Sequence, residues 1–330
     1  SKIKNDNEKI SKFLFDQGFK TIINRLENNN FINKDLNKSN ELSASIKGKY
    51  ITITNDDSLK ELENNILKFR IFAIDTETDS LDIETANLVG VSICFSDKKA
   101  YYIPISHKDP VLKKISKLQI SKERIFGFLK SLCNDPSLLK IGQNIKYDIR
   151  ILNKYGITFN SIADTMLMSY SLDNGITRHG MDDLAFIHFN HTTIKFKDLV
   201  GTGKKQITFD YVPISEATNY AAEDALVTFR LYNFLQDRLI KEKLNYVYEK
   251  IDKPLIEVLI HMESKGIKVN KNYLKKLSQD FKNESDKIEK KIFKITKKEF
   301  NIGSPKQLGE ILFIDMGIKG GKKTKTGTYS

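Results

Sequence analysis

The stretch "IFAIDTETDSLD", residues 71–82, begins as an apolar strand and continues into acids. Ile71 and the three residues after it suit a buried strand, whereas Asp75, Glu77 and Asp79 follow at every second position. Side chains alternate across a strand, so the pattern predicts three carboxylates on one face. Burying like charges together is costly unless something positive neutralises them. The stretch therefore predicts a central strand whose end requires a cation.

The sequence around this strand predicts a mixed α/β domain. Strand patterns occur at 50–54, 88–95, 100–105 and 139–144, and helical spacing occurs at 58–69 and 122–133. Beyond residue 144 the pattern is mainly helical to about Leu244. Strands first and helices later favour an α/β fold with a mixed central sheet flanked by helices.

The two ends of the chain differ from this middle part. The start predicts a pair of amphipathic helices followed by a polar linker, "NNNFINKDLNKSNELSASIKGK". The last part predicts a helix that ends at Gly266, a long basic amphipathic helix, and a helix that begins at the capping residue Ser304. The final "KGGKKTKTGTYS" is polar, and the chain is expected to continue into a longer protein.

Composition excludes several classes of protein. No apolar run approaches the roughly 18 residues of a membrane span, and the polar N-terminus lacks the apolar region of a signal peptide. Two cysteines, Cys94 and Cys133, are too few for a zinc cluster or a disulfide framework. A protein of a reducing compartment, with no membrane partner, is expected.

Positive charge is concentrated at the C-terminal end. The net charge is +12, and residues 245–330 hold 19 lysines against 11 acids, a net charge of +8. Such a bias indicates a polyanionic partner, with nucleic acid the first candidate. Solvated lysines from an AT-rich genome would give the same count, and charge alone leaves both readings open.

Two further motifs contain acids in positions that could join the strand's carboxylates. "GQNIKYD" ends in Asp148 just after a strand, and "NYAAEDA" places Tyr220 four residues before Asp224 on one face of a helix. Glu223 is rotated by about 100° from Asp224 and is expected to face elsewhere. Carboxylates in this number suit a pair of hard cations, Mg²⁺ or Mn²⁺, which hold a water and a leaving oxygen on opposite sides of a phosphorus. Each motif alone is also compatible with a turn residue or a solvated helix.

The three motifs in this order resemble the DEDD-type 3′–5′ exonucleases of the tyrosine subgroup, which have a ribonuclease H-like fold. The stretches "IGQNIKYD", "DTMLMSYSL", "RHGMDDLA", "GTGKKQITF" and "YAAEDA" are similar to the proofreading domain of bacterial-type family A DNA polymerases. "PLIEVLIHMESKGIKVN" and "SPKQLGEILF" resemble the start of that family's polymerase thumb. The resemblance implies a segment from a 5′ nuclease region over 1–48, an exonuclease domain over 49–244, and a helical partial thumb subdomain over 245–330 without palm and fingers.

The resemblance also implies roles for individual residues. Asp75 is expected to bind both metals, Glu77 and Asp224 to complete the first shell, and Asp148 to hold the second metal partly through water. Tyr220 is expected to position the attacking water, and Zn²⁺ is the alternative ion at one of the two positions. The residues expected to contact the nucleic acid are Leu81 and Phe209 at the terminal bases, and Gln143, Asn144 and Arg178 at the phosphates.

These roles imply a proofreading exonuclease that acts as a monomer on a single-stranded DNA 3′ end and on primer–template DNA. The parent protein would be a DNA-directed DNA polymerase used in replication and repair, located in the cytoplasm at the nucleoid or in an organelle. Two alternatives stay open: an inactive DNA-binding scaffold, and an RNA-trimming exonuclease of the same superfamily. The retained acids and tyrosine disfavour the first, and the thumb-like end disfavours the second.

Overall fold

The computed structural model describes residues 9–10, 13–14, 22, 25–26, 46–109, 112–175 and 178–322. The helices and linker predicted over 1–48 lie almost wholly outside the described residues, as does the polar end from residue 323. Among the described residues, no helix is both long enough and apolar enough to cross a membrane.

A six-stranded sheet in the order β1-β4-β3-β2-β5-β6 forms the centre of the fold. Its strands are β1 Lys49–Thr52, β2 Ile71–Thr78, β3 Leu88–Ser96, β4 Lys99–Pro104, β5 Leu139–Gly142 and β6 Ile162–Asp164. β3 runs antiparallel to both β2 and β4, and the other pairs are parallel. The predicted mixed sheet is therefore confirmed.

Helices connect and cover these strands. In chain order they are α1 Asp56–Phe69, α2 Lys122–Asn134, α3 Lys146–Asn153, α4 Thr165–Asp173, α5 Met181–Phe189, α6 Phe196–Val200, α7 Ile214–Lys241, α8 Asn245–Val247, α9 Leu255–Lys265, α10 Lys271–Thr296 and α11 Pro305–Glu310. Side-chain caps begin several of them. Asn55 accepts from the Ser58 backbone N–H at α1, and Asp164 accepts from the Leu167 N–H at α4.

The sheet is covered on both faces because β2 is apolar on both sides of its pleat. Phe72 and Ile74 belong to the core cluster that contains residues of α1 and α2, whereas Ala73 belongs to the cluster beneath α7. On that second face the sheet and the helix meet through small side chains such as Ala73 and Ala222. Small residues let a helix approach a sheet closely, so α7 brings its own polar side chains near the end of β2.

Strand β6 was not predicted from the sequence, because the region after β5 was expected to be mainly helical. β6 has only three residues, too few for an alternating pattern to be recognised. Its formation depends on parallel pairing with β5, in which Ile141 lies opposite Ala163. Non-local pairing of this kind leaves no local signal in the sequence.

The described chain divides into two compact units, which meet in sequence between Lys265 and Gly266. The first unit therefore extends past the boundary that the sequence predicts after residue 244. Tyr248 is buried there, and its hydroxyl oxygen accepts a hydrogen bond from the backbone N–H of Asp164, the two atoms lying 2.8 Å apart. Ile256 and Ile260 of α9 pack in a core cluster with Ile145 and Ile149.

The second unit contains α10 and α11. The side chains of α10 are exposed or half-buried throughout, and Asn270 caps it by accepting from the Tyr273 N–H. Ser304 caps α11 by accepting from the Gln307 N–H, with Pro305 in the first turn, which confirms the predicted helix start.

Candidate active site

Two of the predicted carboxylates project from the same face of β2. Asp75 is half-buried and Glu77 is buried, and they lie two residues apart on the strand. The pairing of β2 with β3 shifts between Glu77 and Thr78, and the strand ends there. Such an irregularity redirects the chain beyond it.

Asp79 does not join the other two acids as predicted. Its Oδ1 accepts from the Asn87 backbone N–H at 2.7 Å, and its Oδ2 accepts from the Asn87 side-chain amide at 2.9 Å. The prediction of three carboxylates on one strand face was wrong for Asp79, because the strand's alternation ends before that residue.

The third member of the acidic cluster comes from helix α7. One carboxylate oxygen each of Asp75, Glu77 and Asp224 lies within 4.8 Å of the others, an arrangement that could hold a metal ion. The Oδ1 atom of Asp224 is buried and has no hydrogen-bond partner among the described residues. A buried carboxylate oxygen without a donor fits a metal ligand, and all-oxygen donors fit hard divalent cations.

Asp148 lies beside this cluster without belonging to it. It is buried in the first turn of α3, and its Oδ1 accepts from the backbone N–H of Thr76 at 2.8 Å and from the Thr76 hydroxyl at 2.6 Å. Thr76 lies between Asp75 and Glu77 in β2, so the two bonds fix Asp148 to the strand that carries the cluster. A separate position for Asp148 is compatible with its predicted role at a second metal, which stays a prediction.

Burial raises the pKa values of the four acids, and repulsion by neighbouring carboxylates adds to the rise for three of them. Burial raises the pKa of Asp75 from 3.8 to about 7. Burial and the neighbouring charges also raise the pKa of Glu77, of Asp148 and of Asp224 well above their ordinary values. Each of those three pKa values is raised in part by the charge of Asp75, so the cluster favours a bound cation.

Tyr220 lies one turn before Asp224 on the same face of α7. Its hydroxyl is hydrogen-bonded to the Asp224 carboxylate, and its pKa is raised by burial and then by the charges of Asp224 and Glu77. The phenol therefore keeps its proton at neutral pH and donates at the edge of the cluster. Glu223 points away, as predicted: its Oε2 accepts from the Ile194 N–H, and its Oε1 lies 3.1 Å from Nε2 of His191.

The raised pKa values predict that the metal-free protein loses stability as the pH rises. Between about pH 4 and pH 7 the folded chain keeps protons, at Asp75 for one, that the unfolded chain has lost, so the free energy of unfolding falls through that window. We expect melting in EDTA to occur at least about 2–4 °C lower at pH 8 than at pH 5, the shift that 1 kcal/mol produces in a domain of this size.

The matched variants for this experiment are Asp224→Asn and Asp79→Asn. The first removes a charge from the cluster and should flatten the pH dependence, whereas the second removes a carboxylate that is already bonded to Asn87 and should not. Mg²⁺ should abolish the fall in the wild-type protein. Identical melting curves for wild type and Asp224→Asn across the pH range would contradict the electrostatic account.

The cluster forms one side of a cleft with a volume of about 500 Å³. The cleft also contains apolar and aromatic side chains, and it is lined by Asp75, Thr76, Glu77, Thr78, Asp79, Ser80, Leu81, Gln143, Tyr147, Met181, Phe196, Gln206, Ile207, Thr208, Phe209, Tyr220 and Asp224. A cleft that combines a possible cation site with apolar and aromatic side chains fits a ligand with both anionic and flat apolar parts.

The residues predicted to contact nucleic acid fall into different positions. Leu81 is 89% exposed at the rim, whereas Phe209 lines the cleft but is only 1% exposed. Gln143 lines the cleft, but its amide is engaged with the His179 carbonyl and the Thr165 hydroxyl. Asn144 and the exposed Arg178 are not among the lining residues. Asn144 has a φ of 61°, and its N–H donates to Asp164 at 3.3 Å.

Sequence reasoning missed Phe196, the large aromatic residue of the cleft that is exposed to solvent, at 41%. It begins the short helix α6 in "TIKFKDL", where no spacing pattern distinguishes it from a core residue. Its position is visible only when α6 is folded against α7.

The sheet and the converging carboxylates define a class: an α/β domain with a carboxylate cluster that could hold a metal ion, in a cleft that is also lined by apolar side chains. Comparison with known proteins narrows this class. Residues 50–240 match the family described as 3′–5′ exonuclease, and residues 271–330 match DNA polymerase family A. The chain belongs to the 3′–5′ exonuclease family that accompanies family A DNA polymerases, which confirms the resemblance seen in the sequence.

Individual relatives agree with this assignment. The chain is 43% identical to DNA polymerase I of Rhizobium leguminosarum over 85% of this chain and 29% of that protein. It is 40% identical to DNA polymerase I of Pseudomonas aeruginosa over 83% of this chain and 30% of that protein. The chain thus spans about three tenths of the length of these relatives.

A solved structure shares the fold. It is titled as the POL domain of Pol1 from M. smegmatis in complex with DNA primer-template and dNTP. It matches with a TM-score of 0.58 and 20% identity, and covers 85% of this chain and 43% of that chain.

Proposed function

We propose that this chain removes nucleotides from the 3′ ends of DNA by metal-dependent phosphodiester hydrolysis, as the proofreading part of a DNA polymerase I. The observation that carries the proposal is the convergence of Asp75, Glu77 and Asp224 in a cleft of a chain whose family is the 3′–5′ exonucleases. The three carboxylates and Tyr220 are all present, which disfavours an inactive scaffold.

In this proposal Asp75, Glu77 and Asp224 hold one divalent cation, and Asp75 with Asp148 holds a second. Bound Mg²⁺ or Mn²⁺ would neutralise the charge on the scissile phosphate and make an attacking water more acidic. Thr76 contributes by fixing the Asp148 carboxylate through its N–H and its hydroxyl. In this proposal the acids act on the cations and the scissile phosphate, so the site that they form has no preference for any base.

Tyr220 would orient the water for attack. Its hydroxyl is bonded to Asp224, and the same ring packs against Phe209 with the centroids 6.0 Å apart. A donor held from two sides loses little freedom when the substrate binds, so it can direct the water without rearrangement. The exposed Leu81 at the rim would separate the terminal bases, as predicted from the resemblance.

The parent protein is proposed to be a DNA polymerase I of replication and repair that acts as a monomer on primer–template DNA. The match of residues 271–330 to DNA polymerase family A supports this part of the proposal, as does the net positive charge of that end.

A gel assay tests the proposed function. Single strands labelled at the 5′ end or at the 3′ end are incubated with Mg²⁺ or with EDTA. Stepwise shortening of the 5′-labelled strand and release of mononucleotide from the 3′-labelled strand are expected, both lost in EDTA. An RNA strand of the same sequence is the control: faster shortening of RNA would favour the RNA-trimming alternative, and no shortening of either would favour the scaffold.

Removing the Tyr220 hydroxyl is expected to slow hydrolysis without weakening metal binding. Tyr220→Phe should lower kcat by about 10- to 1,000-fold, the range of a group that orients or handles protons at a water. The exposed Tyr246 offers the control Tyr246→Phe, which should keep the wild-type rate. Calorimetric titration with Mn²⁺ checks that metal binding is unchanged. Greatly weakened binding would mean that Tyr220 coordinates the metal.

A further inference from the structure

A buried serine on the strand next to β2 has no hydrogen-bond partner. Ser92 lies in the middle of β3, and its exposed fraction is 0%. Its Oγ atom makes no hydrogen bond with any residue that the structure describes. Most buried polar side chains are hydrogen-bonded, and leaving a hydroxyl unpaired in the interior costs free energy. An unpaired buried hydroxyl is therefore one of the exceptions that mark functional sites.

The strand register places Ser92 beside the first acid of the cluster. In the antiparallel pairing of β2 with β3, Asp75 lies directly opposite Ser92, and Glu77 lies opposite Gly90. Directly opposite residues project from the same face of a sheet, with Cβ atoms about 4.5–5.5 Å apart. The Ser92 hydroxyl thus belongs to the face beneath α7, from which the acidic cluster projects.

The neighbour of Ser92 on its other side is already engaged. Tyr102 of β4 lies opposite Ser92, but its ring leans along the strands, so a Cβ placed on Gly90 would lie 2.0 Å from the Tyr102 hydroxyl oxygen. That hydroxyl is 2.7 Å from Nε2 of His107, and Nδ1 of His107 is 3.0 Å from the Val212 carbonyl oxygen. Burial lowers the pKa of His107 to about 4, so the ring is neutral. Since a carbonyl only accepts, Nδ1 carries the proton and the Tyr102 hydroxyl donates to Nε2.

We propose that Ser92 is a positioning residue for Asp75, to whose carboxylate its hydroxyl donates a hydrogen bond when the acidic cluster holds a divalent cation. The inference rests on the proposed function, in which Asp75 is shared by two cations. A hydrogen bond from a fixed donor limits the rotation of a carboxylate, and bonds of this kind orient metal ligands. Thr76 already has such a role at Asp148, which accepts from the Thr76 hydroxyl at 2.6 Å.

Calorimetric titration of the whole chain with Mn²⁺ tests this role. Ser92→Ala should weaken Mn²⁺ binding by roughly 10- to 150-fold, the range of one hydrogen bond to a charged group. In EDTA the same variant should melt at the wild-type temperature or above it, because it removes a buried hydroxyl that has no partner among the described residues. Weakened metal binding without lost stability is a combination that a purely structural role would not produce.

Two variants separate the hydrogen bond from an effect of packing. Ser92→Cys fills the same space with a much weaker donor, so it should bind Mn²⁺ as weakly as Ser92→Ala. Wild-type affinity in Ser92→Cys would show that only the volume matters and would overturn the proposal. Ser106→Ala is the control, since the Ser106 hydroxyl already donates to the Leu88 carbonyl at 2.6 Å. This variant should melt at a lower temperature and bind Mn²⁺ like the wild type.

A third variant tests whether Asp75 is the acceptor. The other candidate is Asp224, because its buried Oδ1 also has no partner within the described part of the chain. Asp224→Asn retains Asp75, so adding Ser92→Ala to it should weaken Mn²⁺ binding by a similar factor again. If the effect of Ser92→Ala disappears in the Asp224→Asn chain, the hydroxyl serves Asp224 and the proposal is wrong.

The outcomes also distinguish this inference from the proposed function. Wild-type Mn²⁺ affinity in Ser92→Ala, in a chain whose wild type shortens 3′ ends, would overturn the role of Ser92 alone. A wild-type chain that binds Mn²⁺ but shortens no strand would overturn the proposed function, whereas a loss of Mn²⁺ affinity in Ser92→Ala would still support the hydrogen bond to Asp75.

Discussion

Asp75→Ala is expected to lower the rate of 3′-end hydrolysis by several orders of magnitude while the chain stays folded. Catalysis of phosphoryl transfer by two metals depends almost wholly on positioning and charge neutralisation, and Asp75 is the residue proposed to contact both ions. The measurement is single-turnover cleavage of a 5′-labelled strand in Mg²⁺, with the melting temperature as the check on folding.

The charge of Asp75 affects the pKa values of the other three acids. Its charge raises the pKa of Glu77, the pKa of Asp148 and the pKa of Asp224. Removing it relieves repulsion on three neighbours at once, so Asp75→Ala should melt at a higher temperature than the wild type in EDTA at pH 8. Lost activity together with gained stability in EDTA is the pattern of a functional carboxylate; a fold defect would lower both.

Asp79→Ala is the matched control, since Asp79 belongs to the same stretch and lines the same cleft but bonds Asn87. We expect its hydrolysis rate to stay within about tenfold of the wild type, because no ligand of the proposed ions is removed. Near wild-type cleavage by Asp75→Ala, or equal losses in both variants, would show that the metal site has been assigned to the wrong residues.

The comparison of Asp75 with Asp79 shows what the sequence could predict and what it could not. Alternation along β2 and the four-residue spacing from Tyr220 to Asp224 are local periodicities, and both placed their side chains correctly. Asp79 was misplaced because the strand's pairing shifts and ends just before it, a property of the partner strand β3. Local patterns predict a face only as far as the element continues.

Phe196 and β6 are features that local sequence patterns do not predict at all. Phe196 became recognisable only through its parallel ring contact with Phe209, which lies thirteen positions further along the chain. The three residues of β6 form a strand only because β5 lies beside them. Contacts between residues far apart in sequence decide both features, and neither leaves a periodic signal in one chain.

Cutting the chain after Lys265 is expected to leave 3′-end hydrolysis of short single strands unchanged and to weaken binding to duplex primer–template DNA strongly. Every proposed catalytic residue lies before the cut, and so does every core cluster identified among the described residues. The removed part, residues 266–330, contains 16 lysines and seven acids, a net charge of +9. Each phosphate contact that is lost lowers the slope of log affinity against log salt by roughly 0.9 on duplex.

The position of the cut matters because residues 245–265 belong to the first unit and contribute to its core. A cut after residue 244 would remove Tyr248, whose hydroxyl bonds the backbone of Asp164, and Glu263, which pairs with Lys146 and Arg150 of α3. The same α3 carries Asp148, so that shorter fragment would mix a lost DNA contact with a disturbed active site. The cut after Lys265 separates the two effects.

A full-length variant tests the charge without deleting any element. Lys275→Gln with Lys276→Gln removes two exposed charges from α10, and the duplex salt slope should fall by about two if both contact phosphates. The control is Lys60→Gln with Lys68→Gln, two exposed lysines of α1 in the first unit, for which no change in slope is expected. Equal slopes for the truncated chain, the α10 variant and the wild type would mean that these lysines are solvated surface. The charge of the second unit would then say nothing about nucleic acid, and the proposal of duplex binding would rest on the family match alone.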